Sequence, residues 1–267
     1  MFPLPTELKI TRADPAGNLT LLVEGAVPAE KRAFVGTQLM QMPEFRAEQA
    51  GFLVPPQYGG IGRLEMSGGE FCGNAVRACG LLLARRNDLP AGTIPIEISG
   101  CTDPVSVTVD RDSGFVTAEM PLPEAISMVS LPAPFGICPL IRFSGIWHVI
   151  AENIPATEEN FILARDAVYT RWTPEAFGVM FLSEDYLSLT PFVYVKKSAT
   201  LFRENSCGSG TAAVAAWNAA NGRSGTVALR QPGGLLEVQI NAPNGILRSL
   251  ILGGQVSLDD PVVFSCP

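Results

Sequence analysis

Apolar positions along this chain fall into two recurring patterns. Two segments are apolar through about three helical turns with few breaks, CGNAVRACGLLLARR (72–86) and CGSGTAAVAAWNAA (207–220). Both are rich in Ala, Leu and Val with few breakers after the opening glycines, which predicts helices buried on most sides. Each ends in a polar turn, Arg-Asn-Asp or Asn-Gly-Arg. Each is followed by Gly-Thr and alternating strand residues, from Gly92-Thr93-Ile94 and from Gly225-Thr226-Val227. A second strand follows in both halves, VSVTV (105–109) and LLEVQI (235–240). Upstream, AGNLTLLVEG (16–25) and SGIWHVIAEN (144–153) are strand-like, each with a glycine near its start.

The order strand, helix, Gly-Thr strand, strand therefore occurs twice, the mark of an internal repeat. Between the copies lies MPLPEAISMVSLPAPFGICP (120–139) with its five prolines. Proline lacks the N–H and fixes φ, so this stretch is expected to link rather than to form a central strand. The predicted fold class is α+β: two pseudo-symmetric domains, each a β-barrel-like sheet wrapped around a central helix. The domains are expected at 1–124, completed by 256–267, and at 125–255.

Composition narrows the classes of function. A chain of 267 residues with 47% hydrophobic residues can bury two cores. The net charge of −7 and the absence of a basic cluster denser than a pair such as Arg85-Arg86 argue against nucleic-acid partners. MFPLPTELKI is no signal peptide, and no apolar run reaches the ~20 residues that cross a bilayer, so no membrane partner and a cytoplasmic location are expected. Six cysteines without a secretion signal do not suggest a disulfide framework. No CxxC occurs, and Cys72 and Cys79 are two helical turns apart, so no metal site is expected. Cys79, Cys101, Cys138 and Cys266 read as small core residues.

Cys72 and Cys207 differ because each opens a helix. A helix N-terminus carries partial positive charge and unpaired N–H groups, which stabilise a thiolate. Glycine in the next position lets the backbone approach a ligand. The N–H groups of Gly73, Asn74, Gly208 and Ser209 can hold a carboxylate. Two such helix starts brought to one cleft would place a sulfur on either side of an α-carbon. One thiolate then removes the α-proton, the other thiol returns one on the opposite face, and the N–H donors stabilise the developing carbanion. No cofactor is needed. A pyridoxal enzyme needs a Schiff-base lysine, and neither Lys9, Lys31, Lys196 nor Lys197 has a phosphate loop beside it.

CGNAVR (72–77) and CGSGTAA (207–213) resemble the two cysteine motifs of the diaminopimelate epimerase family, cofactor-independent racemases of which proline racemase is a relative. The resemblance implies catalytic roles for Cys72 and Cys207, a final segment VSLDDPVVF (256–264) returning to the first domain, and a homodimer. AGNLTLL resembles the family's N-terminal Gly-Asn segment, which makes Asn18 a substrate-side residue. EQAGFLVPP (48–56) resembles its Asp-Gln segment, which makes Gln49 a contact. GIWHV resembles its Gly-Asn-Pro-His, with His148 at the auxiliary histidine. Arg203-Glu204 stands where the family has Glu-Arg, in reverse order.

Departures from the family pattern bear on the substrate. Three asparagines that read the far end of diaminopimelate are missing: one from the loop EMSGGEF (65–71), the others replaced by Ile146 and Leu189. A site that hydrogen-bonds a polar group discriminates strongly when the partners are gone. MSGGEFCGNA and ENSCGSG resemble another branch, the histidine racemases that supply D-histidine for opine-type metallophores. In that branch Trp147 would stack on the imidazole and Glu48, Glu65 or Glu204 would pair with it. Diaminopimelate itself, or a hydroxyproline, remains an alternative amino-acid substrate. A non-catalytic binding protein and a thiol–disulfide redox protein are alternatives of another class. The phenazine-type isomerases share the fold but lack the cysteine pair.

Overall fold

The computed structural model describes residues 6–196 and 199–265. Cys266 and Lys197 lie outside the described residues. The chain divides into two compact units, one from the start to Glu119 together with Gly253 onward, the other Met120–Leu252.

The first unit opens with β1 (Glu7–Asp14), β2 (Thr20–Glu24), α1 (Ala29–Gln41), β3 (Gln49–Val54) and β4 (Arg63–Met66). It continues with α2 (Gly73–Arg86), β5 (Gly92–Ile98), β6 (Val105–Val109) and β7 (Phe115–Met120). Strand order is β1-β2-β3-β4-β5-β6-β7. The β2–β3 and β4–β5 pairs are parallel and the rest antiparallel. Parallel neighbours need a crossover, and α1 and α2 supply the two. Eleven residues of α2 are buried, so the sheet curls around this helix. Its core joins Ala75, Ala78, Cys79 and Leu81 to Ile96, Val107 and Val116. A smaller core under α1 joins Val35 and Leu39 to Leu21, Val23 and Phe52.

The second unit contains β8 (Ala125–Leu131), β9 (Gly136–Phe143), β10 (Ile146–Glu152), α3 (Glu158–Tyr169), β11 (Ala176–Leu182), β12 (Leu189–Val195) and β13 (Thr200–Arg203). After these come α4 (Gly208–Ala220), β14 (Gly225–Gln231), β15 (Gly234–Asn241) and β16 (Ser249–Gln255). The first six strands form one sheet in sequence order. The β10–β11 pair is parallel across α3, as β2–β3 is across α1. Helix α4 buries nine residues and packs on β15, β14, β10 and β9. The remaining strands, β17 (Ser257–Leu258) and β18 (Val262–Ser265), pair antiparallel with β1 and so return the chain to the first unit.

Two expectations need correction. Each repeat holds a second helix, α1 or α3, where one helix per domain is expected. The proline-rich stretch is also more than a linker, since it forms the β8–β9 hairpin with β8 at the sheet edge. Proline tolerates this placement. Pro121 and Pro123 precede β8, and Pro132 and Pro134 fill the turn. Pro139 pairs with Met128, but the β9–β10 ladder begins only at Leu140, so no N–H is missed on that side. Among the described residues no helix is long and apolar enough to cross a membrane.

Candidate active site

Each central helix begins with a cysteine as its N-cap, and the two caps have nearly the same shape. Cys72 has φ −134° and ψ 112°, and its sulfur accepts the Ala75 N–H at 3.4 Å. Cys207 has φ −124° and ψ 107°, and its sulfur accepts the Gly210 N–H at 3.3 Å. A thiol sulfur here does what a Ser or Asp oxygen does at an ordinary cap. It sits where the helix dipole favours negative charge. Both cysteines are free thiols.

In the first unit the structure gathers Asn18, Glu48, Gln49, Cys72, Gly73 and Asn74. The parallel β2–β3 pairing sets Thr20 opposite Gln49, which brings the turn before β2 and the start of β3 together. Asn18 Nδ2 donates to Glu48 Oε2 at 2.9 Å. Cys72 Sγ donates to Gln49 Oε1 at 2.9 Å. Asn18 is buried, and its own Oδ1 has no hydrogen-bond partner, a polar atom available to an incoming donor. Asn74 Oδ1 accepts from Arg77 Nη2 at 2.8 Å.

In the second unit His148, on β10, is completely buried. Its Nε2 lies 2.9 Å from Ser209 Oγ, which in turn lies 3.5 Å from Cys207 Sγ. Burial pushes the imidazole down to about 3, so it is neutral at physiological pH. Gly178 on the adjacent strand makes room for the ring, because a Cβ there would lie 2.4 Å from His148 Nδ1. The Cys207 thiol is pushed well above its ordinary range, first by burial and then by the Glu204 carboxylate, against hydrogen bonds from Ser209 and the Gly210 N–H. Glu204 follows β13, where its N–H bonds Pro191 O at 3.0 Å.

Other residues singled out from the sequence stand apart from these clusters. Arg203 is exposed with its guanidinium 5.9 Å from the centre of the Phe192 ring. Trp147 packs edge-on against Trp172 at 5.9 Å, with Arg142 over its ring at 5.3 Å. Glu65 pairs with Arg63. Leu189 is buried, and Ile146 opens β10.

Several residues of both clusters escape sequence reasoning. Gln231 Oε1 accepts the Cys207 N–H and its Nε2 donates to Thr211 Oγ1, both at 2.8 Å, which locks the cap from the end of β14. A glutamine before Pro-Gly-Gly carries no local sign of that role. Arg77 is buried within α2, where an apolar side chain is the default, and that placement was the available signal.

Solved structures share this architecture at low identity. A hydroxyproline epimerase from Agrobacterium vitis superimposes with a TM-score of 0.68 at 12% identity, over 99% of this chain and 93% of that one. A phenazine biosynthesis protein of the PhzF family from Bacillus anthracis gives 0.67 at 10% identity, over 98% and 100%. Sequence similarity reaches further. The chain is 32% identical to a histidine racemase of Fusobacterium nucleatum over 263 residues, 96% of this chain and 94% of that protein. It is 28% identical to a histidine racemase of Staphylococcus aureus over 261 residues, 94% of both chains. The protein is an isomerase of the racemase and epimerase class. Residues 7–260 match the family model described as the histidine racemase CntK N-terminal domain, and the chain belongs to that family.

Proposed function

We propose that this protein interconverts L- and D-histidine, with Cys72 and Cys207 as the acid–base pair. The observation that carries the reading is the matched pair of cysteine caps, two sulfurs each fixed at a helix N-terminus by the N–H three residues on. In each direction one thiolate takes the α-proton and the other thiol gives one to the opposite face. The substrate carboxylate is assigned to the N–H groups at Gly73, Asn74, Gly208 and Ser209, where it is held as charge builds on it. Asn18 Oδ1 is assigned to the α-amino group, since it is a buried acceptor of the first cluster left unpaired.

Imidazole recognition is assigned to two carboxylates of the clusters, Glu204, which acts on the Cys207 thiol, and Glu48, which accepts from Asn18. Trp147 is less suited to stacking, because its ring is already engaged by Trp172 and Arg142. A cytoplasmic location is part of the proposal, in keeping with the free thiols at Cys72, Cys79, Cys101, Cys138 and Cys207.

The test is α-deuterium incorporation in D₂O by reduced enzyme without added cofactor. L-Histidine, LL-diaminopimelate, hydroxyproline and other L-amino acids are compared, with chiral chromatography of the products. Exchange and D-product are expected with histidine. Cys72→Ser and Cys207→Ser are each expected to lower racemisation by at least about a thousandfold, the scale for loss of an acid–base group. Turnover of diaminopimelate in place of histidine overturns the substrate, and near wild-type racemisation by either variant overturns the mechanism.

A further inference from the structure

We propose that Arg77 is a positioning residue for the proton-transfer chemistry: a buried guanidinium whose counter-ion is the thiolate of Cys72. This rests on the two-thiol reading and extends it, because it gives the two cysteines different resting charges, Cys72 the base and Cys207 the acid.

Arg77 is completely buried in α2. Its Nη1 donates to the carbonyl of Gly254 at 3.0 Å and its Nη2 to Asn74 Oδ1 at 2.8 Å, while its Nε is buried with no hydrogen-bond partner. Both acceptors are neutral. Among the described residues no carboxylate forms an ion pair with it. A buried guanidinium with no anion is costly, so folds that keep one usually pair it. Burial lowers its pKa to about 10, and interaction with ionised Cys72 works against that fall. The guanidinium thus remains charged at neutral pH. The Asn74 amide that Arg77 holds belongs to the same first turn whose Ala75 N–H binds the Cys72 sulfur. Ionisation of Cys72 requires Gln49, whose Oε1 lies 2.9 Å from the sulfur and accepts its S–H, to turn its amide and donate from Nε2 instead.

The other ionisable groups near this helix start do not supply the charge. Glu48 adjoins Gln49 on β3, and Glu70 lies in the loop before the cysteine. Both are acidic and oppose ionisation of Cys72. Cys79, further along α2, is pushed up to about 12 by burial and stays a thiol. The repeat offers an internal comparison. The position that matches Arg77 in α4 is Ala212, five residues after Cys207. The neighbours there are the Glu204 carboxylate and, through Ser209, the neutral His148. Two caps of matching geometry thereby differ in a buried cation, present in the helix behind Cys72 and replaced by Ala212 behind Cys207, and an acid–base pair needs such a difference before substrate arrives.

The experiment is alkylation of the folded 267-residue chain by iodoacetamide at pH 6.5, read at each cysteine by peptide mass spectrometry. Wild type, Arg77→Gln and Arg77→Lys are compared, with folding checked by circular dichroism. In the wild type Cys72 is expected to react at least about tenfold faster than half-buried Cys101, since one unit of thiol acidity is tenfold in thiolate. Arg77→Gln is expected to remove that advantage by about tenfold, and Arg77→Lys, which keeps the charge, to retain most of it. In histidine racemisation Arg77→Gln should lower kcat with KM little changed. Equal Cys72 reactivity in wild type and Arg77→Gln, or a wild-type Cys72 no faster than Cys101, overturns the proposal. The wild-type comparison decides alone if Arg77→Gln does not fold. An Arg77-dependent Cys72 in a protein that racemises nothing would sustain this inference and sink the function it was joined to.

Discussion

At the scale of single residues, burial decides what each group can do. His148, expected from the resemblance at the auxiliary position, cannot act as a physiological acid, because its pKa of about 3 leaves it neutral. Its contribution is to orient Ser209, and through it the hydroxyl near Cys207. Burial also makes it a source of acid instability. In the unfolded chain the imidazole binds a proton near pH 6.5, whereas in the fold it does so only near 3. Between those values the unfolded state holds the extra proton, so stability falls as pH drops. The slope is at most about 1.4 kcal/mol per pH unit from this group. Urea unfolding of wild type and His148→Gln between pH 7 and 4 is expected to show a steeper loss in the wild type. Parallel curves would mean that the imidazole is protonated in the fold.

At the scale of elements, the two central helices were legible because they are apolar on nearly all sides, and their Gly-Thr strands because a fixed order repeats. The missed helices are of another kind. α1 buries only Val35, Gly36 and Leu39, and α3 only Phe161, Ala164 and Val168. Such narrow stripes leave the helical period weak against polar surroundings. For α3 the signal was present as Thr157, whose side chain caps Asn160 N–H at 3.2 Å. The hairpin was obscured by its prolines, which break strands only where the ladder needs an N–H from that position, as it does not here. Motifs singled out the cysteines and Asn18, Gln49 and His148, which the structure gathers into the two clusters, whereas Arg77 and Gln231 make contacts that only the fold creates.

Packing between elements yields a prediction of its own. Gly80 faces β6 from the middle of α2, and a Cβ there would lie 2.6 Å from Val107 Cγ1. Helix propensity alone favours Gly80→Ala by ~1 kcal/mol. Overpacking a filled core costs about 1–3 kcal/mol, and the β-branched Val107 has little freedom to withdraw. Gly80→Ala is therefore expected to lower the urea midpoint despite its better propensity. A raised midpoint would show that α2 has room against the sheet.

At the scale of the whole molecule, the first unit is assembled from both ends of the chain. β18 pairs with β1 from Glu7 to Ile10, β17 pairs at Ala13 and Asp14, and Val256 is buried in the core around α2. Phe264 packs edge-on against Phe45 at 6.1 Å. Arg12 and Asp259 join at 2.7 Å, but that pair is largely exposed and adds little. Ending the chain after Gln255 would leave β1 as an open edge and uncover the apolar surface beneath Val256 and Phe264. Burial of two such side chains stabilises by roughly 3–5 kcal/mol, which sets the expected loss. The core of the second unit, built from Val149, Phe161, Phe177 and Phe192, contains none of the removed residues. Amide exchange of the truncated protein should then show protection falling in β1, β2 and α2 and surviving in β10, β11 and β12. Equal loss across all six elements would mean that the units unfold as one, and unchanged protection in β1 that the returning strands add no stability.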